Sequence, residues 1–131
     1  MRLETVEDIN RWMKRSGALS EALMRELCLV SNGYSVHVEF TVIIDPNGRQ
    51  LEEALDVGID LEGVQGLTLV GGLTARMLEY PKDVDWGLSE VAQVRVTSSG
   101  DGVRFEALWE GERRVEIECR RAAFTVPDVW L

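Results

Sequence analysis

The chain has 131 residues, of which 14 are Lys or Arg and 23 are Asp or Glu, so its formal net charge at pH 7 is −9. This length predicts one domain over residues 1–131 with a core that needs no disulfide or metal. No apolar stretch is long enough to cross a membrane, and the first residues lack a secretory signal pattern, so we expect a cytoplasmic protein. The negative charge excludes nucleic acids and acidic membranes as favoured partners, and it favours a basic protein.

The first predicted element is an amphipathic helix over residues 5–16. Thr5 can cap its N-terminus through the side chain, and Gly17 can end it in a left-handed conformation. Apolar side chains recur at helical spacing on one face: Val6, Ile9, Trp12 and Met13. We expect this face to pack against the rest of the core.

A first hairpin is predicted over residues 24–44, with Asn32 and Gly33 as a two-residue turn in which both residues have positive φ. The strand that follows alternates apolar and polar side chains from Tyr34 to Ile44. This loop sets four cross-strand pairs: Leu27 with Val38, Leu29 with Val36, Cys28 with His37, and Glu26 with Glu39. The first two pairs are expected on the core face.

Middle strands are predicted over residues 54–70, where apolar residues alternate with acidic ones from Leu55 to Leu61. Gly71 and Gly72 interrupt the pattern, and a short helix from Thr74 is expected after them.

The C-terminal strands are predicted over residues 91–122 and end in a hairpin whose three loop residues are 110–112. That loop sets four further pairs: Val103 with Cys119, Arg104 with Glu118, Phe105 with Ile117, and Ala107 with Val115. A two-residue loop would mix apolar and polar faces, which a half-buried sheet does not tolerate. Together the elements predict an α+β fold, with the N-terminal helix packed on one curved antiparallel sheet of six or seven strands.

Motifs for catalysis and cofactor binding are missing from the sequence. No Gly-x-Gly-x-x-Gly occurs, and the spacing of Gly66 and Gly71 is not followed by the Lys and Ser or Thr of a phosphate-binding loop. We therefore expect no cofactor and no enzymatic activity.

One cluster nevertheless carries side chains typical of metal sites: Glu26, Cys28, His37 and Glu39 on the polar face of the first hairpin. A single hairpin rarely directs four ligands to one ion, so our interpretation is that Cys28 and His37 pack under the N-terminal helix without a metal, while Glu26 and Glu39 face water or an arginine. A small metal-binding or hydrolytic protein that uses Cys28 and His37 is the alternative.

The stretch from Glu52 to Glu62 is acidic and contains no Lys or Arg. Asp56 and Asp60 fall on one strand face with a glycine between them, which predicts a backbone open to approach. With Glu62, they are our candidates for docking a basic partner; a solvated strand face is the alternative interpretation. Trp86 and Trp109 lie beside predicted turns, where they are candidates either for partner contacts or for covering the core.

Four segments resemble a family of small bacterial immunity proteins from polymorphic toxin systems, the immunity-protein-fifty family: Leu27–Leu29, Ser35–Phe40, Gly63–Leu69 and Val115–Arg120. The resemblance implies one antiparallel sheet and no catalytic residues. It also implies that the protein neutralises a toxin, here a basic toxin domain held by the acidic face. A module that self-associates through its sheet edges is a further alternative, and the sequence leaves the oligomeric state open.

Overall fold

A computed structural model describes residues 1–71 and 90–130 of the chain. Its elements in chain order are β1 (Arg2–Leu3), α1 (Val6–Ser16), β2 (Leu23–Val30), β3 (Ser35–Ile44), β4 (Gln50–Glu62), β5 (Gly66–Val70), β6 (Gln93–Ser99), β7 (Gly102–Leu108), β8 (Arg114–Cys119) and β9 (Arg121–Thr125). The helix predicted from Thr74 lies outside the described residues. Within those residues, no helix has both the length and the apolar character needed to span a membrane.

The strands form two antiparallel sheets, so the predicted single sheet of six or seven strands is wrong. One sheet has five strands in the order β1-β9-β4-β3-β2, and the other has four in the order β5-β8-β7-β6. Each sheet buries one face, and the side chains from both faces, such as Phe40 and Phe105, belong to one hydrophobic core. Alternation along a strand shows which face is buried, but it does not show which sheet the strand joins.

Two short connections carry the chain between the sheets. Gly63, with a φ of 68°, begins the passage from β4 to β5. Arg120 alone separates β8 of the four-stranded sheet from β9 of the five-stranded sheet. Because these crossings are so short, neither produces a break in the hydropathy pattern that would reveal a second sheet.

The predicted helix is present as α1, but its packing differs from the expected arrangement. The Thr5 hydroxyl accepts a hydrogen bond from the Asp8 amide at 3.1 Å, and Gly17 ends the helix with a φ of 79°. Buried Ile9 and Trp12 face the core, and the helix contacts β6 of one sheet and β9 of the other. The helix therefore lies beside both sheets and does not cover a single one.

The first hairpin has the predicted register, including Leu29 opposite Val36. Its loop, however, spans residues 31–34, with left-handed φ values at Ser31 and Asn32 of 52° and 57°. Lengthening the loop by one residue on each side leaves every pair unchanged, which is why the register was predicted correctly. Tyr34 consequently belongs to the loop and is 54% exposed, instead of starting the strand.

The closing hairpin also has the predicted register. Phe105 lies opposite Ile117, and Arg104 lies opposite Glu118. Phe105 and Ile117 are both fully buried. This hairpin forms the centre of the four-stranded sheet.

Candidate functional site

The site is built on the outer face of the five-stranded sheet, the face turned away from the core. The strand registers arrange its side chains in rows that cross β2, β3, β4 and β9. Three rows are Val30–Ser35–Glu62–Arg121, Cys28–His37–Asp60–Ala123 and Glu26–Glu39–Gly58–Thr125. Beyond them, Thr41 lies opposite Asp56. Most of the predicted site residues therefore share this outer face.

His37 lies between two carboxylates at the centre of the outer face. Its Nδ1 is 2.7 Å from Asp60 Oδ1, and its Nε2 is 2.7 Å from Glu39 Oε1. In its protonated form the ring can donate a hydrogen bond from each nitrogen, whereas a neutral ring can donate from only one. The hydrogen bond to Asp60, followed by that to Glu39, raises the pKa of His37 above 6.5, while partial burial opposes the shift. The two carboxylates therefore favour the protonated form of His37 within the acidic face.

Gly58 makes this arrangement possible. A Cβ atom at residue 58 would lie 3.1 Å from Glu39 Oε1 and 3.5 Å from His37 Cε1. The sequence predicted that this glycine leaves the backbone of β4 open to a partner. Instead, the space above it is taken by the protein's own Glu39 and His37 side chains.

Arginine side chains surround the central cluster. Arg25 lies 3.4 Å from Glu39 and 3.5 Å from Asp56, and Arg2 lies 3.5 Å from Asp60. On the neighbouring strand, Arg121 Nη2 is 2.7 Å from Glu62 Oε2. Each of the three acids predicted to dock a partner thus has an intramolecular cation. The outer face is a network of mixed charge and not a bare acidic strip.

Sequence reasoning allowed for an arginine beside Glu26 or Glu39, but it did not identify the three arginines of this network. Arg2 and Arg121 are distant in sequence from Asp60 and Glu62, and only the pairing of β1, β9 and β4 brings them close. Arg25 occupies the β-bulge where the register shifts between Met24 and Glu26. No pattern along the chain marked these contacts, because they depend on strand order.

The metal-site candidates lie together, as the register predicted, but Cys28 is exposed on the outer face and is not packed under α1, so that interpretation is wrong. The ligand atoms also do not converge. Both nitrogens of His37 are engaged by carboxylates, and the Cys28 thiol lies 3.7 Å from the Leu29 carbonyl oxygen. Across residues 1–71 and 90–130, no group of three or more His, Cys, Asp or Glu side chains is arranged to hold a metal ion. This geometry does not support the alternative of a metal or hydrolytic site on Cys28 and His37.

The second cysteine also offers no reactive group. Cys119 is buried, and burial raises the pKa of its thiol to about 11. A thiol with such a pKa stays protonated at neutral pH and is a poor nucleophile.

Of the two tryptophans considered as partner contacts, only Trp109 lies within the described residues. Trp109 is 4% exposed, and the Arg113 guanidinium lies 4.9 Å from the centre of its ring. This placement fits the interpretation that Trp109 covers the core. Trp86 lies outside the described residues.

The His37 contacts predict a specific pH dependence. Because the folded-state pKa is raised, the stabilisation is fully present below about pH 6.5 and is lost as the pH rises through the raised pKa. NMR titration of this single histidine should give a midpoint above 6.5, and the free energy of unfolding should fall across that window. In His37→Gln, the fall should disappear. A midpoint at or below 6.5 would contradict the stabilisation of the protonated ring by Asp60 and Glu39.

Comparison with known proteins identifies a similar fold but no family. No protein-family model matches the chain, and no curated protein matches its sequence. The crystal structure of an uncharacterized protein from Neisseria gonorrhoeae is similar, with a TM-score of 0.56 over 97% of this chain and 99% of that one. The two sequences are 11% identical, so the likeness concerns the fold alone. The resemblance to the immunity-protein-fifty family gains no support from these comparisons.

Proposed function

We propose that the protein is a non-enzymatic module that binds a basic protein through the outer face of its five-stranded sheet. The observation that carries this proposal is the group of partly exposed carboxylates on that face. The side chains of Asp56, Asp60 and Glu62 are 61%, 36% and 42% exposed. They belong to a chain of net charge −9, whose negative potential attracts a cationic surface over long range.

The internal ion pairs do not prevent such binding. The contacts of Arg25 with Asp56 and of Arg2 with Asp60 are both 3.5 Å long and involve exposed side chains. Pairs of this kind contribute little to stability, so a partner's Lys or Arg can replace the internal arginine at small cost. Glu62 lies 2.7 Å from Arg121, but both of these side chains are well exposed, so this pair is also weak. Asp60 is the exception, since the less exposed His37 also holds it at 2.7 Å. Asp56 and Glu62 are therefore the carboxylates that a partner would engage first.

Catalysis is a weaker proposal for the same face. A general base needs a ring nitrogen free to accept a proton from a substrate, and both nitrogens of His37 are already within hydrogen-bonding distance of the protein's own carboxylates. Cys28 has no adjacent base in hydrogen-bonding geometry, since its described contact is the Leu29 carbonyl. Binding a basic partner requires only the exchange of weak ion pairs between exposed side chains.

The basic partner that we propose is a toxin domain, following the family resemblance of the strand patterns. The protein would neutralise the toxin by covering its cationic surface. A first check needs only the genome, because an immunity gene lies directly beside the gene of its toxin. A neighbouring gene that encodes a secreted basic domain would support the proposal.

The decisive test measures association with the neighbouring gene's product after co-expression. Stopped-flow rates should fall as salt rises, because the Debye length shortens from about 30 Å at 0.01 M to about 8 Å at 0.15 M. At low salt, Asp56→Lys combined with Glu62→Lys should slow association by about tenfold or more.

The matched control is Glu52→Lys combined with Glu53→Lys. This variant makes the same change in net charge on the same strand, at exposed positions that have no partner on β3 in the strand register, unlike Asp56 and Glu62. It should slow association much less. Equal effects of the two double variants would mean that only net charge matters, and would remove the outer face from the proposal. Circular dichroism should verify that both variants are folded.

A further inference from the structure

Strand β2 forms one end of the five-stranded sheet, and half of its outer edge has no strand partner within residues 1–71 and 90–130. Its first residue, Leu23, makes a bridge to Glu90, and a β-bulge at Arg25 interrupts the register just after it. Bulges of this kind protect sheet edges from further pairing. From Glu26 to Val30, β2 is regular and pairs only with β3 among the residues that the structure describes.

Residues 26–30, the half of β2 without a second described strand partner, have an unusual composition for a sheet edge. Leu29 is 57% exposed, Val30 is 43% exposed, and Tyr34 in the adjoining loop is 54% exposed. Residues 27–30 include no charged side chain, although edge strands usually carry charges that prevent pairing with another chain. Exposed apolar side chains next to unpaired backbone groups are suited to accepting another strand.

We propose that the occupant is a second copy of this chain, paired antiparallel through residues 26–30 of β2. Two antiparallel edge strands related by a two-fold axis perpendicular to the sheet have their outer faces on the same side. Residues of the same face must then lie opposite one another, so the two numbers of each pair have an even sum. In the register that uses all of residues 26–30, the two residue numbers of each pair add up to 56. It places Cys28 opposite its own copy, Leu27 opposite Leu29, and Glu26 opposite Val30.

The chemistry of the edge favours this occupant over the basic partner proposed for the outer face. A basic segment would find no carboxylate within residues 27–30, whereas a second β2 supplies the apolar side chains that match Leu27 and Leu29. In the same register, each Glu26 faces Val30 and not the other Glu26, so no like charges lie directly opposite. The paired segment is short, which predicts a weak dimer that depends on concentration. This inference does not depend on the proposed function, because it concerns the edge of the sheet.

Sedimentation velocity over a range of concentrations tests the proposal. The unmodified protein should shift from monomer to dimer between micromolar and near-millimolar concentration, and Leu29→Lys should remain monomeric. Leu69→Lys is the matched control, since Leu69 is a 38% exposed leucine on β5, an edge strand of the other sheet. That variant should still dimerise. A protein that is monomeric throughout, or a dimer that Leu29→Lys leaves unchanged, would overturn the proposal.

Cross-linking tests the register separately. Directly opposite side chains have Cβ atoms about 5 Å apart, so a short thiol-specific cross-linker should join two copies through exposed Cys28. Cys28→Ser should abolish the product, since Cys119 is buried, and Leu29→Lys should greatly reduce it. A dimer that resists cross-linking at Cys28 would overturn the two-fold pairing at this residue.

Discussion

Replacing Phe105 with alanine should lower the free energy of unfolding by about 3–5 kcal/mol, the usual cost of removing a buried aromatic side chain. Phe105 is fully buried on β7, between Val96 of β6 and Ile117 of β8. The cavity left by its ring would lie at the centre of the four-stranded sheet, where neighbouring strands on both sides limit collapse. For a domain with a stability of about 5–15 kcal/mol, this change is a large fraction of the total.

Urea titrations monitored by circular dichroism would measure the effect. Leu69→Ala is the control on the same sheet, because it also truncates a large apolar side chain but at a partly exposed edge position. Its cost should be about 1 kcal/mol or less. If the two variants shifted the transition midpoint equally, Phe105 would not occupy the core position assigned by the hairpin register.

Local features of the fold could be predicted because they depend on residues close in sequence. The helix cap at Thr5 and the end of the helix at Gly17 each follow from one or two side chains. The hairpin pairs, such as Phe105 with Ile117, follow from a turn and an alternating pattern, which permit only one register with the apolar side chains on one face. These local features were the predictions that the sequence supported best.

The assignment of strands to sheets could not be predicted in this way. β9 pairs with β4 and β1, whose residues are distant along the chain, and no alternating pattern distinguishes that arrangement from a continuation of the hairpin sheet. The charge network depends on the same information. From the sequence, we expected the Asp60 carboxylate to be free to bind a partner. In the structure, His37 lies on one side of it and Arg2 on the other. The sequence therefore predicted two separate sets of polar side chains, on the first hairpin and on the acidic strand. It did not predict that the pairing of β3 with β4 joins them on one face, or that their carboxylates have cations beside them.

A second large effect is expected from Gly102→Ala at the start of β7. A Cβ atom at residue 102 would overlap the backbone carbonyl oxygen of Cys119 and would lie 3.6 Å from the Ser99 carbonyl oxygen. The first of these atoms belongs to the main chain of β8, so it cannot rotate away as a flexible side chain would. Gly102 has no positive φ, which means that the expected cost comes from the close approach of β7 and β8 and not from backbone strain.

Separating the two strands enough to admit a methyl group should cost about 1–3 kcal/mol, as overpacking of a close contact does. Gly66→Ala on β5 is the matched control, because its new Cβ would lie 3.9 Å from the nearest Glu118 atoms and its φ is also not positive. That change should be near neutral, or stabilising by about 0.4–1 kcal/mol through the lower entropy of the unfolded chain. Thermal melts of the two variants should therefore move in opposite directions or differ by several degrees. Equal melting temperatures would mean that β7 and β8 do not approach at Gly102 as closely as the fold requires, and the packing of the closing hairpin would have to be revised.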